Sequence, residues 1–104
     1  SGETLVTLDI EGTPVGGMHP AHIHAGAVAD APGDILITLA TVDGSLGMSQ
    51  THVAAYNAAD GTANGGAAIT YDELIGIDGY INVHLSATEL ATIVAQGNVG
   101  ANAQ

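Results

Sequence analysis

The 104-residue chain contains no lysine, no arginine and no cysteine. With 11 Asp and Glu and 5 His, its formal net charge is −11 when the histidines are neutral. A protein without cationic side chains cannot neutralise phosphates, which excludes nucleic-acid binding by counterion release. Schiff-base chemistry, a phosphate-loop lysine and lysine–asparagine crosslinks are excluded with it. The summed field repels anionic substrates and anionic membrane surfaces, so the natural partners of this surface are cations. The lack of cysteine removes disulfides and every thiolate metal site, and it fits an exported chain indifferent to redox conditions. Long apolar runs are missing too. None approaches the ~20 residues of a membrane helix, so no membrane insertion is expected. Any export signal is expected upstream of Ser1 or already removed.

What remains is 46% hydrophobic with 15 Gly, the composition of one small globular domain rather than of a disordered acidic tail. The dipeptides Asp43-Gly44, Asp60-Gly61, Asn64-Gly65 and Asp78-Gly79 mark turns, because these residues tolerate the positive φ of tight hairpins. Period-two patterning lies between them. In residues 3–11, Val6, Leu8 and Ile10 share one face and Thr7, Asp9 and Glu11 the other, which predicts a half-buried antiparallel strand. Residues 34–42 are more continuously apolar and read as a central strand. Further strands are expected over 48–56, 67–71 and 80–85, the last with Tyr80, Asn82 and His84 on a polar face and Ile81, Val83 and Leu85 on a core face.

Ser86 and Glu89 have capping-box spacing, predicting a helical turn over 87–90 before a last strand that runs to Val99. Residues 71–77 can form a second turn. The sum is an all-β domain spanning 1–104, a small antiparallel Greek-key-like β-sandwich of six or seven strands with one or two short helical turns.

The histidines are unevenly placed. In His19-Pro20-Ala21-His22-Ile23-His24, an extended backbone sets His22 and His24 on one face and Ile23 on the other. Two imidazoles at i, i+2 can chelate one ion, and His84, on the matching face of its own strand, completes a three-nitrogen set. With imidazoles, carboxylates and two thioethers as the only available ligands, the candidate ions are copper, zinc and nickel, copper being favoured by affinity order. Met18 offers a soft axial ligand. His19 is expected in a loop because Pro20 interrupts the strand, at the edge of the main site or at a contact between subunits. His52 shares parity with Met48 and Gln50 and reads as solvated surface, with an inter-subunit contact as its alternative. Asn82 and nearby backbone carbonyls are candidates to fix the imidazole tautomers. Each histidine also has a plainer reading as a hydrogen-bonded polar residue. Residues 60–66 lack calcium-loop register, and no serine sits in a nucleophile elbow.

Residues 18–26 (MHPAHIHAG), followed about 60 residues later by 78–85 (DGYINVHL), resemble the CHRD, or chordin-type, domain, whose bacterial members show AHIH-G and G-Y-x-N-V-H segments in this order. Gln96-Gly97-Asn98-Val99 is similar to the family's closing R-G-Q-L strand, with Gln96 where arginine is usual. Residues 42–44, 47–49 and 92–100 resemble exported, often tandemly repeated members from marine bacteria. The resemblance covers most of the chain. It implies an extracellular or cell-surface β-sandwich, related in shape to copper–zinc superoxide dismutase, with His22, His24 and His84 at matching positions and His52 without a counterpart. Family members begin with an extra strand pair ahead of the segment that starts here at Ser1. A domain lacking that pair has an open edge, which invites strand addition from another copy and assembly into tandem arrays or filaments.

The leading expectation is therefore a secreted, copper-binding structural module that associates with copies of itself and is not an enzyme. A metal-free adhesion or matrix module is the alternative. A superoxide dismutase-like enzyme is disfavoured because a chain of −11 offers no positive steering of an anion.

Overall fold

The computed structural model describes residues 3–13, 16–28 and 33–103. Six strands form one antiparallel sheet: β1 (Thr4–Asp9), β2 (Met18–Ala25), β3 (Ile35–Asp43), β4 (Met48–Val53), β5 (Asp78–Ser86) and β6 (Glu89–Gly100). A short helix α1 (Tyr71–Ile75) precedes β5, and a 3₁₀ turn (Ala101–Ala103) follows β6. The spatial order is β1-β4-β3-β2-β5-β6. Strands β2, β3 and β4 follow one another across the sheet and β1 returns beside β4, which is the Greek-key arrangement. The expected all-β antiparallel class is what the chain adopts. Among the described residues no helix is long and apolar enough to cross a membrane.

β3 and β4 share a single ladder pair, Asp43 with Met48. Beyond it β4 leaves β3 and pairs along its whole length with β1. The turn between them is closed by Asp43, whose carbonyl accepts from the Leu46 and Gly47 N–H groups and whose carboxylate accepts from Ser45. Gly47 takes φ +71, and a Cβ there would run into the Ile10 carbonyl, so glycine is required. The β1–β4 ribbon folds over the remaining strands, giving a sandwich-like body. Leu8 and Ile10 of the β1 segment come to face Ile81 and Val83 of β5 and Val99 of β6 around an apolar groove. Ala21, Ile23, Ile37, Leu39, Val42, Val53, Ile69, Leu74 and Val83 form the buried core between the layers.

Three local expectations are corrected. Residues 67–71 form no strand. Only an isolated Ala55–Ala68 bridge occurs there, and the chain then enters α1 at Tyr71. The helix starts at Thr70, whose hydroxyl accepts from the Glu73 N–H while the Glu73 carboxylate accepts from the Thr70 N–H, a complete capping box. Residues 87–90 form no helical turn. Ser86 pairs directly with Glu89 across a two-residue hairpin turn, so β6 begins where the turn was expected. Cross-strand pairing of the β-branched run in β6 outweighs a cap with little apolar helix behind it. Finally, His19 is not in a loop. Pro20 lies inside β2, tolerated because β3 bulges opposite it: the stretch of β2 from His19 to Ala21 faces a longer stretch of β3, from Val42 to Leu39. Ala40 and Thr41 take up the extra length on the exposed side, and the Ala40 N–H donates to the Thr51 hydroxyl at 2.7 Å.

Candidate metal centre

β2 lies between β3 and β5, so both edges of its backbone are paired. Alternation sends Ala21 and Ile23 into the core and His22 and His24 to the opposite face. On β5 the register sets Asn82 opposite His22 and Tyr80 opposite His24, with His84 two residues further along the same face. The polar face is largely closed to solvent: Tyr80, Asn82 and His84 are all buried, as is His24. β6 covers it, with Ile93 opposite His84 and Gln96 opposite Asn82.

The three rings converge. Their centroids lie 5.2 Å apart for His22 and His84, 5.9 Å for His22 and His24, and 6.0 Å for His24 and His84. His22 Nδ1 is 3.2 Å from His84 Nε2, and one nitrogen from each ring lies within 4.8 Å of the others. Nitrogens held ~2.0–2.1 Å from one ion stand roughly 3.3 Å apart in a tetrahedron and about 4 Å apart when trans. The observed spacing needs little adjustment to surround a cation. Among the described residues no other trio of His, Asp or Glu converges in this way.

Backbone carbonyls set the tautomers. His24 Nδ1 is 2.9 Å from the Gly33 carbonyl, and His84 Nδ1 is 2.6 Å from the Leu90 carbonyl. A carbonyl only accepts, so both Nδ1 atoms carry the proton and both Nε2 atoms present lone pairs to the cluster. His24 Nε2 is buried and has no hydrogen-bond partner. The His24 ring stacks on Tyr80 with centroids 5.1 Å apart and planes within 13°. The Gly33 N–H donates to the Tyr80 hydroxyl at 2.7 Å, so one residue's backbone links the Tyr80 ring to the His24 ring. A Cβ on Gly33 would collide with the Ala25 carbonyl. Burial first, then the neighbouring His84 and His24 rings, hold the His22 pKa down to about 4. At neutral pH the His22 ring is therefore uncharged.

The other sequence candidates stand elsewhere. His19 lies on the core face with Ala21 and Ile23, buried, its Nδ1 2.8 Å from the Leu85 carbonyl. Met18 is the exposed first residue of β2, opposite Asp43. His52 is exposed on β4, opposite Leu5. Asn82 does not hold a tautomer. Its Oδ1 is buried without a hydrogen-bond partner, and carbonyls do that work. Tyr80 and Gly33, 47 positions apart, form a support that sequence reasoning missed, since nothing local in either segment shows that they meet. The 60–66 loop closes on itself: Asp60 accepts from the Thr62 hydroxyl and N–H, which hold its carboxyl below the usual range.

Comparison of the chain with protein-family models, with curated proteins and with solved structures gave no match.

Proposed function

We propose that this is a structural module that takes up one transition-metal ion through His22, His24 and His84, with copper as the preferred ion and zinc or nickel as alternatives. The observation that carries the reading is the convergence of three ring nitrogens. Two imidazoles are pinned by carbonyls so that their Nε2 atoms point inward, and a third, His22, adds its Nδ1 at 3.2 Å from one of them. An all-imidazole donor set suits copper, zinc and nickel, and copper leads the affinity order. Bound there, the ion clasps β2 to β5. The resemblance to CHRD domains, the absence of cysteine and the charge of −11 support an exported, extracellular or cell-surface setting.

The same reading includes association with further copies by strand addition. β1 and β6 are the two edges of the sheet, and β6 offers a 12-residue strand with no outer partner among the described residues. With no cationic side chain to form ion pairs, backbone pairing and apolar contact are the means left for self-association.

Titration with Cu(II) tests the metal claim. One equivalent is expected to produce a visible d–d band that His84→Ala abolishes; no band, or a band unchanged by that substitution, refutes it. Sedimentation and electron microscopy of the concentrated protein test assembly, with a strictly monomeric species counting against it. The 3.2 Å His22–His84 contact also closes as an ordinary hydrogen bond without metal, which supports a metal-free matrix module as the second reading. Under that reading metal leaves the melting temperature unchanged, whereas an ion bound only by the folded state raises it.

A further inference from the structure

Three imidazoles do not complete the coordination of Cu(II) or zinc, which take four or more ligands. On the β5–β6 side of the cluster lies a cavity of about 370 Å³, lined by His24, Asn82 and His84 and by Leu90, Ala91, Ile93 and Gln96 of the β6 segment. His22 is not among its lining residues and closes the cluster from the β2 side. Two buried atoms of its lining residues lack hydrogen-bond partners, His24 Nε2 and Asn82 Oδ1. A metal ion accounts for the first. The second, an amide oxygen this deeply placed, calls for a partner, and a hydrogen borne by a ligand of that ion supplies one. Asn82 sits opposite His22 on the ladder and two residues from His84 on the same face of β5.

We infer that the metal's remaining coordination position opens on this cavity and takes a small neutral ligand, a nitrogen or oxygen donor that carries a hydrogen, and that Asn82 Oδ1 receives that hydrogen. Water fills this role at rest, and an amine or imidazole can replace it. The inference rests on the metal reading above. Three features select the ligand class. The chain's charge of −11, with no cationic side chain near or far, penalises anions. Beside Gln96 the wall is apolar, and Leu90, Ala91 and Ile93 accommodate the carbon skeleton of an amine or imidazole. The unpartnered Asn82 oxygen accepts hydrogen bonds, as a bare anion also does, so the two cannot pair.

The test uses the copper-loaded full chain and imidazole as the probe. Saturable binding is expected to shift the d–d band and add a fourth nitrogen to the superhyperfine pattern in electron paramagnetic resonance, with copper retained. Ala91→Trp, which fills the cavity from its wall, is expected to keep the copper and lose the imidazole response. Asn82→Leu is expected to keep the copper and weaken imidazole by up to about ten-fold, the worth of one hydrogen bond. Azide should bind weakly and improve as added salt screens the chain's charge, while imidazole stays insensitive to salt. A bound copper whose spectrum ignores imidazole overturns the open-position claim and leaves the metal site standing, as does imidazole that strips the ion instead of joining it. Unaltered binding in both variants overturns the placement in this cavity. Failure to take up copper at all overturns the metal reading, and this inference falls with it.

Discussion

The Thr38–Asn57–Asn64 network and the His22–His24–His84 cluster lie beside each other, Thr38 standing opposite His22 on the β2–β3 ladder, yet they are finished differently. In the first, every group finds its complement inside the protein. The Thr38 N–H is shared by the Asn57 and Asn64 Oδ1 atoms at 3.1 Å, Asn57 Nδ2 donates to the Thr38 hydroxyl at 2.9 Å, and Asn64 Nδ2 donates to the Thr38 carbonyl at 2.9 Å. Asn64 accepts a left-handed φ of 55° to do so. The network holds the irregular segment after β4 against β3 and has nothing left to offer. In the histidine cluster the outer nitrogens of His24 and His84 are tied to carbonyls, His22 Nδ1 meets His84 Nε2 at 3.2 Å, and His24 Nε2 is left without a hydrogen-bond partner. Buried polar groups are ordinarily paired, so the first arrangement is complete in itself and the second leaves a buried nitrogen open.

The strongest way to break this contrast is a pair of substitutions. His84→Ala is expected to lower metal affinity by more than about 100-fold, beyond the loss seen when an outer partner of a ligand is removed. Asn57→Ala should leave affinity unchanged and cost about 1–3 kcal/mol of stability, because it strands buried partners. Equal effects of the two on calorimetric metal affinity would make the clusters one unit. Next in size is Tyr80→Phe, which keeps the stacked ring and removes the acceptor for the Gly33 N–H. About a ten-fold loss of metal affinity is expected with stoichiometry unchanged; full affinity would show that Gly33 holds His24 unaided.

The smallest expected effect concerns pH. His22 is held down to about 4 from 6.5, so between those values the unfolded chain binds a proton that the folded chain refuses. Stability is therefore complete above the unfolded value and declines as pH falls toward 4. Urea midpoints measured over this range should slope less in His22→Ala than in the unsubstituted protein without metal. Parallel slopes would remove His22 from the account.

Strands β1 and β5 were legible because period two survives in them without help from distant residues, and β3 because its continuous apolar, β-branched run reads as a central strand. The convergence of His22, His24 and His84 was legible for the same reason, since parity on two strands fixes which rings share a face. The illegible parts depend on the partner strand or on the backbone. Pro20 argues for a loop until β3 is seen to bulge opposite it. Ser86 and Glu89 have the spacing of a helix cap and serve a hairpin, while Thr70 and Glu73, with the same spacing, do cap a helix. The two segments part company just after the acidic residue: Leu74 docks in the core, whereas the run beyond Glu89 pairs with β5. The Gly33 and Leu90 carbonyls that orient the rings carry no side-chain signature, so no reading of residue types finds them.

The position of the histidines within the strand order has a mechanical consequence. The first and last strands of the chain are the two margins of the sheet, and the strands bearing the rings lie inside them. Tension applied at the chain ends loads β1 and β6 first, and these peel away one hydrogen-bonded row at a time. An ion held between β2 and β5 would be reached only after the margins have come loose, which makes it the last tie to part in a molecule that has no covalent crosslink to rely on.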